Sequence, residues 1–422
     1  MPDDRLAIVV RPSGPLTGSV PIAGAKNSVL KLMAAALMAP GTHELTNVPD
    51  ITDVGAMVAL VESMGCLVQR RDDRLTLDVP EHIEPVAPYE LVEQFRASIV
   101  VLGPLLGRCG RAQVAMPGGD DFGPRPIDMH LAGLEQLGAE FRSEHGYISG
   151  QAEHLVGATI LLEFPSVGAT ENLLMASVLA KGVTVIENAA REPEIADLAA
   201  FLGRMGASIT GAGTSTITVE GVDELSAVEH RVIPDRIEAA TFLAALGIAG
   251  GEITLEGARA DHMDMLIQKL GDMGVRISPD AQGLWAFRGD RLKATDVSTL
   301  PYPGLATDYK PFLVAMLCLA DGVSIVTENL FSGRFRYVDE LKRLSADIRT
   351  EGHHAVVRGV ERLSGAPVKA HDIRAGAALV VAALAAEGET VIADAHHIDR
   401  GYDDLVGKLS ALGADVERVR LR

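Results

Sequence analysis

Aromatic side chains are scarce in this chain: Phe, Tyr and Trp make up 4% of it, and Trp285 is the single tryptophan. A core of large rings is excluded, so the interior must be Ala, Val, Leu and Ile packed closely. Cysteine is rarer still. Cys66, Cys109 and Cys318 follow no metal-ligand spacing and are odd in number, which reads as ordinary thiols in a reducing compartment. Positive charge is also short, with 38 Lys and Arg against 57 Asp and Glu and a net charge of −19. That balance argues against general nucleic-acid binding and against anionic membranes. It leaves anionic small molecules open, because a local arginine cluster can sit inside an acidic protein. Long apolar runs are missing too: the uncharged stretch Ala375 to Ala386 falls well short of the about 20 residues that span a bilayer. The start, Met1-Pro-Asp-Asp-Arg5, has no signal-peptide pattern. A cytoplasmic, soluble protein with no membrane partner is expected. No P-loop and no nucleophile elbow occurs.

What is present points to an ordered repeat. At 422 residues the chain needs more than one core, and 47% hydrophobic residues are ample to fill two. Six times it reads as an apolar helix, a Gly, a short strand, a second helix, a small turn and two strands. The Gly after the first helix falls at Gly41, Gly110, Gly182, Gly251, Gly322 and Gly388, a period of about seventy residues. Strand-like segments follow, such as Val183-Thr-Val-Ile-Glu187 and Glu252-Ile-Thr-Leu-Glu256. The second helices end alike, at Met64-Gly-Cys66, Leu137-Gly-Ala139, Met205-Gly-Ala207, Met273-Gly-Val275, Leu344-Ser-Ala346 and Leu412-Gly-Ala414. Gly there caps the helix, and Ser345 is the exception. The first helices are apolar nearly all round, which places them at domain centres with the strands outside. Six units make two domains of three, with a crossing near Glu229-His-Arg-Val-Ile-Pro234.

The starts of the buried helices are polar: Lys26-Asn27, Arg96, Glu171-Asn172, Asp235-Arg236, Asp308 and Asp372-Ile-Arg374. Helix N-termini favour anions, and Arg or Lys there sharpens the preference toward phosphate or carboxylate. The plainer alternative makes Asp308 and Asp372 N-caps and the arginines surface ion pairs. Equivalent decoration of six helices favours a shared cleft. Two loops add to it. Gly118 to Asp128 holds acids beside Arg125 and also reads as a turn with Asx caps. His397-Ile-Asp-Arg-Gly-Tyr402 also reads as a structural ion pair. Gly211-Ala-Gly213 lies in a hairpin, not a dinucleotide loop, and the pairs His353-His354 and His396-His397 lack partners for a metal.

These motifs together resemble the enolpyruvyl transferases, and most closely the members that act on UDP-N-acetylglucosamine. The likeness runs the length of the chain: Gly24-Ala-Lys-Asn27, Phe95-Arg-Ala-Ser98, Pro117-Gly-Gly119, Ser166-Val-Gly-Ala-Thr-Glu-Asn172, Asn188-Ala-Ala-Arg-Glu-Pro-Glu194, Pro234-Asp-Arg-Ile-Glu238, Thr307-Asp308, Asp372-Ile-Arg374 and His397-Ile-Asp-Arg-Gly-Tyr402. The resemblance implies an α/β fold: a two-domain inside-out α/β barrel of six βαβαββ repeats with the substrate cleft between domains. Residues 1–24 and 234–422 would form the first domain, the N-terminal strand joining the C-terminal half. Residues 25–233 would form the second and carry a mobile loop near 117–126. The implied reaction moves the enolpyruvyl group of phosphoenolpyruvate to the 3-hydroxyl of UDP-N-acetylglucosamine, releasing phosphate, as the first committed step of peptidoglycan synthesis. It needs no metal and no cofactor.

By the same resemblance, Lys26, Arg125 and Arg400 hold the phosphoenolpyruvate phosphate and carboxylate, assisted by Arg374 and Arg96. Asn27 orients the sugar and Asp308 accepts the hydroxyl proton. Arg125, Pro126, Ile127, Asp128 and Met129 cradle the uridine, and Val167, Gly168, Phe331 and Asp372 complete the substrate site. The family's usual loop cysteine is replaced by Asp120. A free Asp is about 0.1% protonated at neutral pH, so Asp120 needs its pKa raised by about 3 units to donate a proton. The acidic limb of activity is expected at lower pH than in cysteine members. Insensitivity to fosfomycin, the epoxide that alkylates the loop thiolate, is expected too. Lys310-Pro311 after Asp308 also looks unusual. The rivals are the same chemistry on shikimate phosphate, a non-catalytic clamp, and a paralogue that binds the sugar nucleotide with altered turnover.

Overall fold

A computed structural model describes residues 6–93, 95–117, 126–331 and 333–421. It is a mixed α/β fold. The described residues fall into two compact units, one made of those up to Ala23 and from Pro234 onward, the other of those from Gly24 to Ile233. Each unit has its own apolar core.

In the second of these units three apolar stretches pack on one another: helix Lys26–Ala36, the 3-10 turn Arg96–Val101 running into helix Leu102–Cys109, and helix Val167–Val178. In the other unit the equivalent helices are Arg236–Ala249, Lys310–Leu317 and Ile373–Ala383. Every residue of Ile373–Ala383 is buried. This is the consequence of apolar residues on all faces, since each fully buried Leu, Val or Met side chain contributes ~1.5–3 kcal/mol. Among the described residues no helix is long and apolar enough to cross a membrane.

Among the described residues there are six four-stranded sheets, and each follows one pattern. Strand Val183–Glu187 pairs in parallel with Thr159–Leu161 and antiparallel with Thr216–Glu220, which in turn pairs with Ser208–Thr210. Alternation sets the faces: Thr184 and Ile186 point inward, their neighbours outward. The turn 211–215 between the last two strands contains Gly211 and Gly213, as read from the sequence. Three sheets take a strand from far away in the chain: Leu16–Pro21 pairs in parallel with Gly251–Glu256, Glu229–Arg231 pairs in parallel with Gly41–Thr46, and the third uses the first strand described. Strand Leu6–Val10 lies between Thr390–Ala393 and Val416–Arg420, antiparallel to both.

The repeat glycines behave uniformly, with one correction. Gly41, Gly110, Gly182, Gly251, Gly322 and Gly388 all have positive φ. Of these only Gly110 is a helix cap. Helix Lys26–Ala36 ends well before Gly41, which instead opens strand Gly41–Thr46, and Gly251 opens Gly251–Glu256. Except at Gly110, the Gly turns the chain toward the next strand and does not close the helix. Likewise the run Ala375 to Ala386 is not all helix, because the helix ends at Ala383 and Ala386–Glu387 form a short strand.

The second-helix signature holds at all six positions, the exception included. Gly65, Gly138, Gly206, Gly274 and Gly413 have positive φ, and so does Ser345 at 68°. Holding an L-residue with a Cβ in that region costs roughly 1 kcal/mol. Ser345→Gly is expected to stabilise the unit by up to about 1 kcal/mol, the gain being trimmed by the greater freedom of Gly in the unfolded chain. A higher denaturant midpoint at unchanged slope would show it; an unchanged or lower midpoint would mean that the cap carries no strain.

Candidate active site

The unit from Gly24 to Ile233 positions Lys26 and Asn27 at the start of a helix that has no side-chain cap. Gly24 is required by close approach, because a Cβ there would lie 1.8 Å from the Asn47 carbonyl oxygen. Lys26 is nearly buried, with Nζ 2.8 Å from Asp53 Oδ2 in the first turn of helix Thr52–Ser63. One residue past Asn27, Ser28 donates to Asp197 Oδ2 at 2.5 Å, and Asp197 Oδ1 is 2.8 Å from His230 Nε2. Lys31 Nζ donates to the Asn27 carbonyl at 2.8 Å and lies 3.5 Å from Glu171. The burial of Glu171 pushes its carboxyl up to about 7. This polar lattice anchors the helix start on both sides of Asn27.

A second cluster in the same unit joins three helix starts. Arg96 Nη2 donates to the Pro126 carbonyl at 3.3 Å. Ile127 is buried, Asp128 begins helix Asp128–Gln136 with an exposed side chain, and Met129 leans on the core. Val167 and Gly168 begin helix Val167–Val178, whose N-cap Ser166 accepts from the Ala169 N–H. The hub is His130, absent from the sequence-based candidates. Burial, with Arg96 nearby, pushes its imidazole down to about 4, so the ring is neutral near pH 7. Its Nδ1 is 2.8 Å from Asn172 Nδ2, which also donates to the Ile99 carbonyl, while Asn172 Oδ1 accepts from Gly103 N. A Cβ on Gly168 would lie 3.0 Å from the His130 ring. Asn172 stood in a motif; His130 carried no signal beyond following Met129.

The other unit gathers arginines around a carboxylate. Asp372 is an N-cap, its Oδ1 accepting from Arg374 N and Ala375 N at 2.8 Å each. Asp235 caps its helix in the same way. Asp308 does not: helix Lys310–Leu317 begins two residues later, and Asp308 Oδ1 accepts from Arg334 Nη2 at 2.5 Å. Burial alone would raise the Asp308 carboxyl, but Arg334, Arg374 and Arg236 outweigh it and hold it well below the usual carboxylate range. Arg236 donates to Tyr309 Oη at 3.1 Å, and Arg374 lies 5.2 Å over the Tyr402 ring. Tyr402 Oη in turn is 2.8 Å from Thr241 Oγ1. Phe331 stacks near the Arg334 guanidinium at 5.9 Å.

Arg400 follows the short helix His396–Asp399, and the neighbouring Asp399 is bound by Arg418. Asp120 and Arg125 lie outside the described residues. Arg334 was missed by sequence reasoning because Arg334 and Arg336 flank Phe335 with nothing in the pattern to separate them. Asp53 was missed because its partner Lys26 stands on a neighbouring helix, with no sequence spacing to relate the two. Among the described residues no three His, Cys, Asp or Glu side chains are placed to hold a metal ion. Chemically, the guanidinium cluster can bind phosphate or carboxylate groups, and Asp308 offers a carboxylate beside them.

Comparison with known proteins places this chemistry. The profile of the EPSP synthase family (3-phosphoshikimate 1-carboxyvinyltransferase) matches residues 10–409. A UDP-N-acetylglucosamine 1-carboxyvinyltransferase of Corynebacterium jeikeium is 52% identical over 96% of this chain and 97% of that protein. Proteins of the same name from Nocardia farcinica and Mycobacterium tuberculosis are 53% and 51% identical, over 96% and 97% of this chain and 96% and 98% of their own. Among solved structures, the enolpyruvyl transferase NikO from Streptomyces tendae superposes with a TM-score of 0.89 at 25% identity, covering 99% of both chains. EPSP synthase from Acinetobacter baumannii shares the fold, with a TM-score of 0.76 at 18% identity over 98% of this chain and 100% of that one. Since the match runs through both units and all six repeats, the chain belongs to the EPSP synthase family of enolpyruvyl transferases.

Proposed function

We propose that this enzyme transfers the enolpyruvyl group of phosphoenolpyruvate to the 3-hydroxyl of UDP-N-acetylglucosamine, a cytoplasmic reaction that commits the sugar to peptidoglycan. The sugar-nucleotide substrate is supported by relatives of that name at 50–53% identity over nearly the whole chain. The observation that carries the chemistry is Asp308, a part-exposed carboxylate held by Arg334 with Arg374 and Arg236 nearby.

In the proposed reaction a proton adds to the methylene carbon of phosphoenolpyruvate, and the adjacent carbon becomes the electrophile. The sugar 3-hydroxyl attacks it while Asp308 takes the hydroxyl proton. The tetrahedral adduct then loses a proton from its new methyl group and expels phosphate, which restores the double bond. Lys26, Arg125 and Arg400 would neutralise the phosphate and carboxylate, with Arg96 and Arg374 assisting. Asn27 would orient the sugar. Pro126 to Met129, Val167, Gly168 and Phe331 would hold the nucleotide, with Asp372 fixing the Arg374 helix start beside it. Asp308 is a poor base while three guanidiniums stabilise its anion. Substrate phosphate and carboxylate groups beside those guanidiniums would cancel part of their charge and raise its proton affinity as the complex forms. Asp120 is the proposed donor, since bound phosphoenolpyruvate and exclusion of water both favour its protonated form.

The deciding assay follows phosphate release from phosphoenolpyruvate. Release that requires UDP-N-acetylglucosamine, and does not occur with shikimate 3-phosphate, is the expected result. Release driven by shikimate 3-phosphate, or no release with either acceptor, would sink the reading.

A further inference from the structure

Among the described residues Lys310 is the largest charged side chain with no exposure at all, and no step above uses it. It stands at the start of helix Lys310–Leu317, two residues after Asp308. Its Nζ is 2.8 Å from Glu328 Oε2, donates to the Arg334 carbonyl at 2.5 Å and lies 3.9 Å over the Phe335 ring. Glu328 is equally buried at its side chain. Its Oε1 accepts from Thr299 Oγ1 and from the N–H groups of Leu330 and Phe331, at 2.8, 2.8 and 3.2 Å. Its Oε2 accepts from Thr307 Oγ1 at 2.8 Å, and Arg334 Nη1 donates to that same hydroxyl at 3.0 Å. The network therefore ends on Arg334, whose other nitrogen grips Asp308.

A buried ion pair is a poor stabiliser. Replacing both partners by apolar groups of similar volume is commonly neutral or favourable, because two charges have been taken out of water. What such a pair supplies is one allowed geometry. Here the geometry is that of the backbone at Arg334 and of the turn at Phe331. We propose that Lys310 is a positioning residue for enolpyruvyl transfer: paired with Glu328, it fixes Arg334 against Asp308 and so sets the reactivity of that carboxylate.

This rests on the reading that Asp308 takes the sugar hydroxyl proton. The charged and titratable groups around the network are accounted for. Lys310 faces Glu328, Arg334, Tyr337 and the charge of Asp372, and Asp308 faces Arg334, Arg374 and Arg236. Burial pulls the Lys310 ammonium down to about 8 against the attraction of Glu328, so it is mainly charged at pH 7.

Two variants test the proposal. Lys310→Met removes the charge and the bond to the Arg334 carbonyl. Lys310→Met with Glu328→Gln removes both charges, so that a folded protein is available if the single variant is not. Hydrogen exchange by mass spectrometry reads the clamp without any turnover. Exchange of the Arg334 and Phe335 amides at least about tenfold faster is expected, and unchanged exchange in both variants would overturn the clamp. Kinetics then read the consequence: kcat is expected to fall by about tenfold or more while KM for both substrates stays within about threefold, as a displaced base demands. Loosened amides with wild-type kcat would also overturn the positioning role, leaving a structural one. A wild-type enzyme that releases no phosphate would defeat the proposed function separately, without altering what exchange reports.

Discussion

Asp308→Asn is expected to lower kcat by about 10²- to 10⁴-fold, the usual worth of a positioned general base. Asn has nearly the same shape, and its amide oxygen can still accept from Arg334, so the loss isolates the charge and the proton-accepting oxygen. The variant leaves Arg334, Arg374 and Arg236 with less negative charge among them. Binding of phosphoenolpyruvate should therefore hold or tighten even as turnover collapses. The pair of readings makes the experiment discriminating: lower kcat with equal or lower KM identifies a group that acts on the reacting atoms, whereas higher KM with equal kcat would assign Asp308 to binding. Phosphate release at saturating UDP-N-acetylglucosamine, with circular dichroism to confirm folding, supplies both numbers. Turnover within about threefold of wild type would remove Asp308 from the mechanism.

Asp120→Cys should change the enzyme's response to fosfomycin. A carboxylate is a much weaker nucleophile than a thiolate toward an epoxide, so the wild type should stay active during prolonged exposure. The variant should lose activity with time and gain the mass of one adduct on the introduced thiol. The same substitution moves the ordinary pKa of the proposed donor from about 3.9 to about 8.5. A donor works only while protonated, so activity fails as pH rises through its pKa, and the limb it sets is the alkaline one, not the acidic one expected from the sequence. Even with the Asp120 pKa raised to near 7, the alkaline limb should shift upward by about 1.5 pH units in the variant. Time-dependent inactivation of the wild type with a covalent adduct would overturn the assignment, and so would matching pH profiles.

The six-fold repeat was legible because each repeat needs the same backbone turn at the same place, and a turn with positive φ writes itself as Gly. Ser345 was the informative exception: its neighbours Leu344 and Ala346 kept the pattern, and the structure holds it in the same conformation at 68°. The role of Gly41 and Gly251 was misread because a left-handed residue serves equally to leave a helix or to enter a strand. For the site, the helix starts were legible as places where polar residues interrupt apolar runs. Their partners were not. Lys26 with Asp53, Asp308 with Arg334, and Lys310 with Glu328 are pairs made by tertiary contact. No periodicity relates the members of such a pair, so Lys310 could be seen as odd but not explained. His130 was hidden for a related reason: its meaning comes from Asn172 on another helix.

The place of strand Leu6–Val10 has a consequence for how the protein is made. On the ribosome this strand emerges more than 370 residues before either of its neighbours, Thr390–Ala393 and Val416–Arg420. The unit from Gly24 to Ile233 draws all its sheets from its own span, so it can close during translation. The other unit must keep two early strands waiting with bare edges, Leu16–Pro21 until Gly251–Glu256 is made and Leu6–Val10 until Thr390–Ala393 is made. Until those partners are made, these strands are open to proteases and chaperones, and a ribosome stalled in the final repeat would leave a folded Gly24–Ile233 unit tethered to an unfinished one.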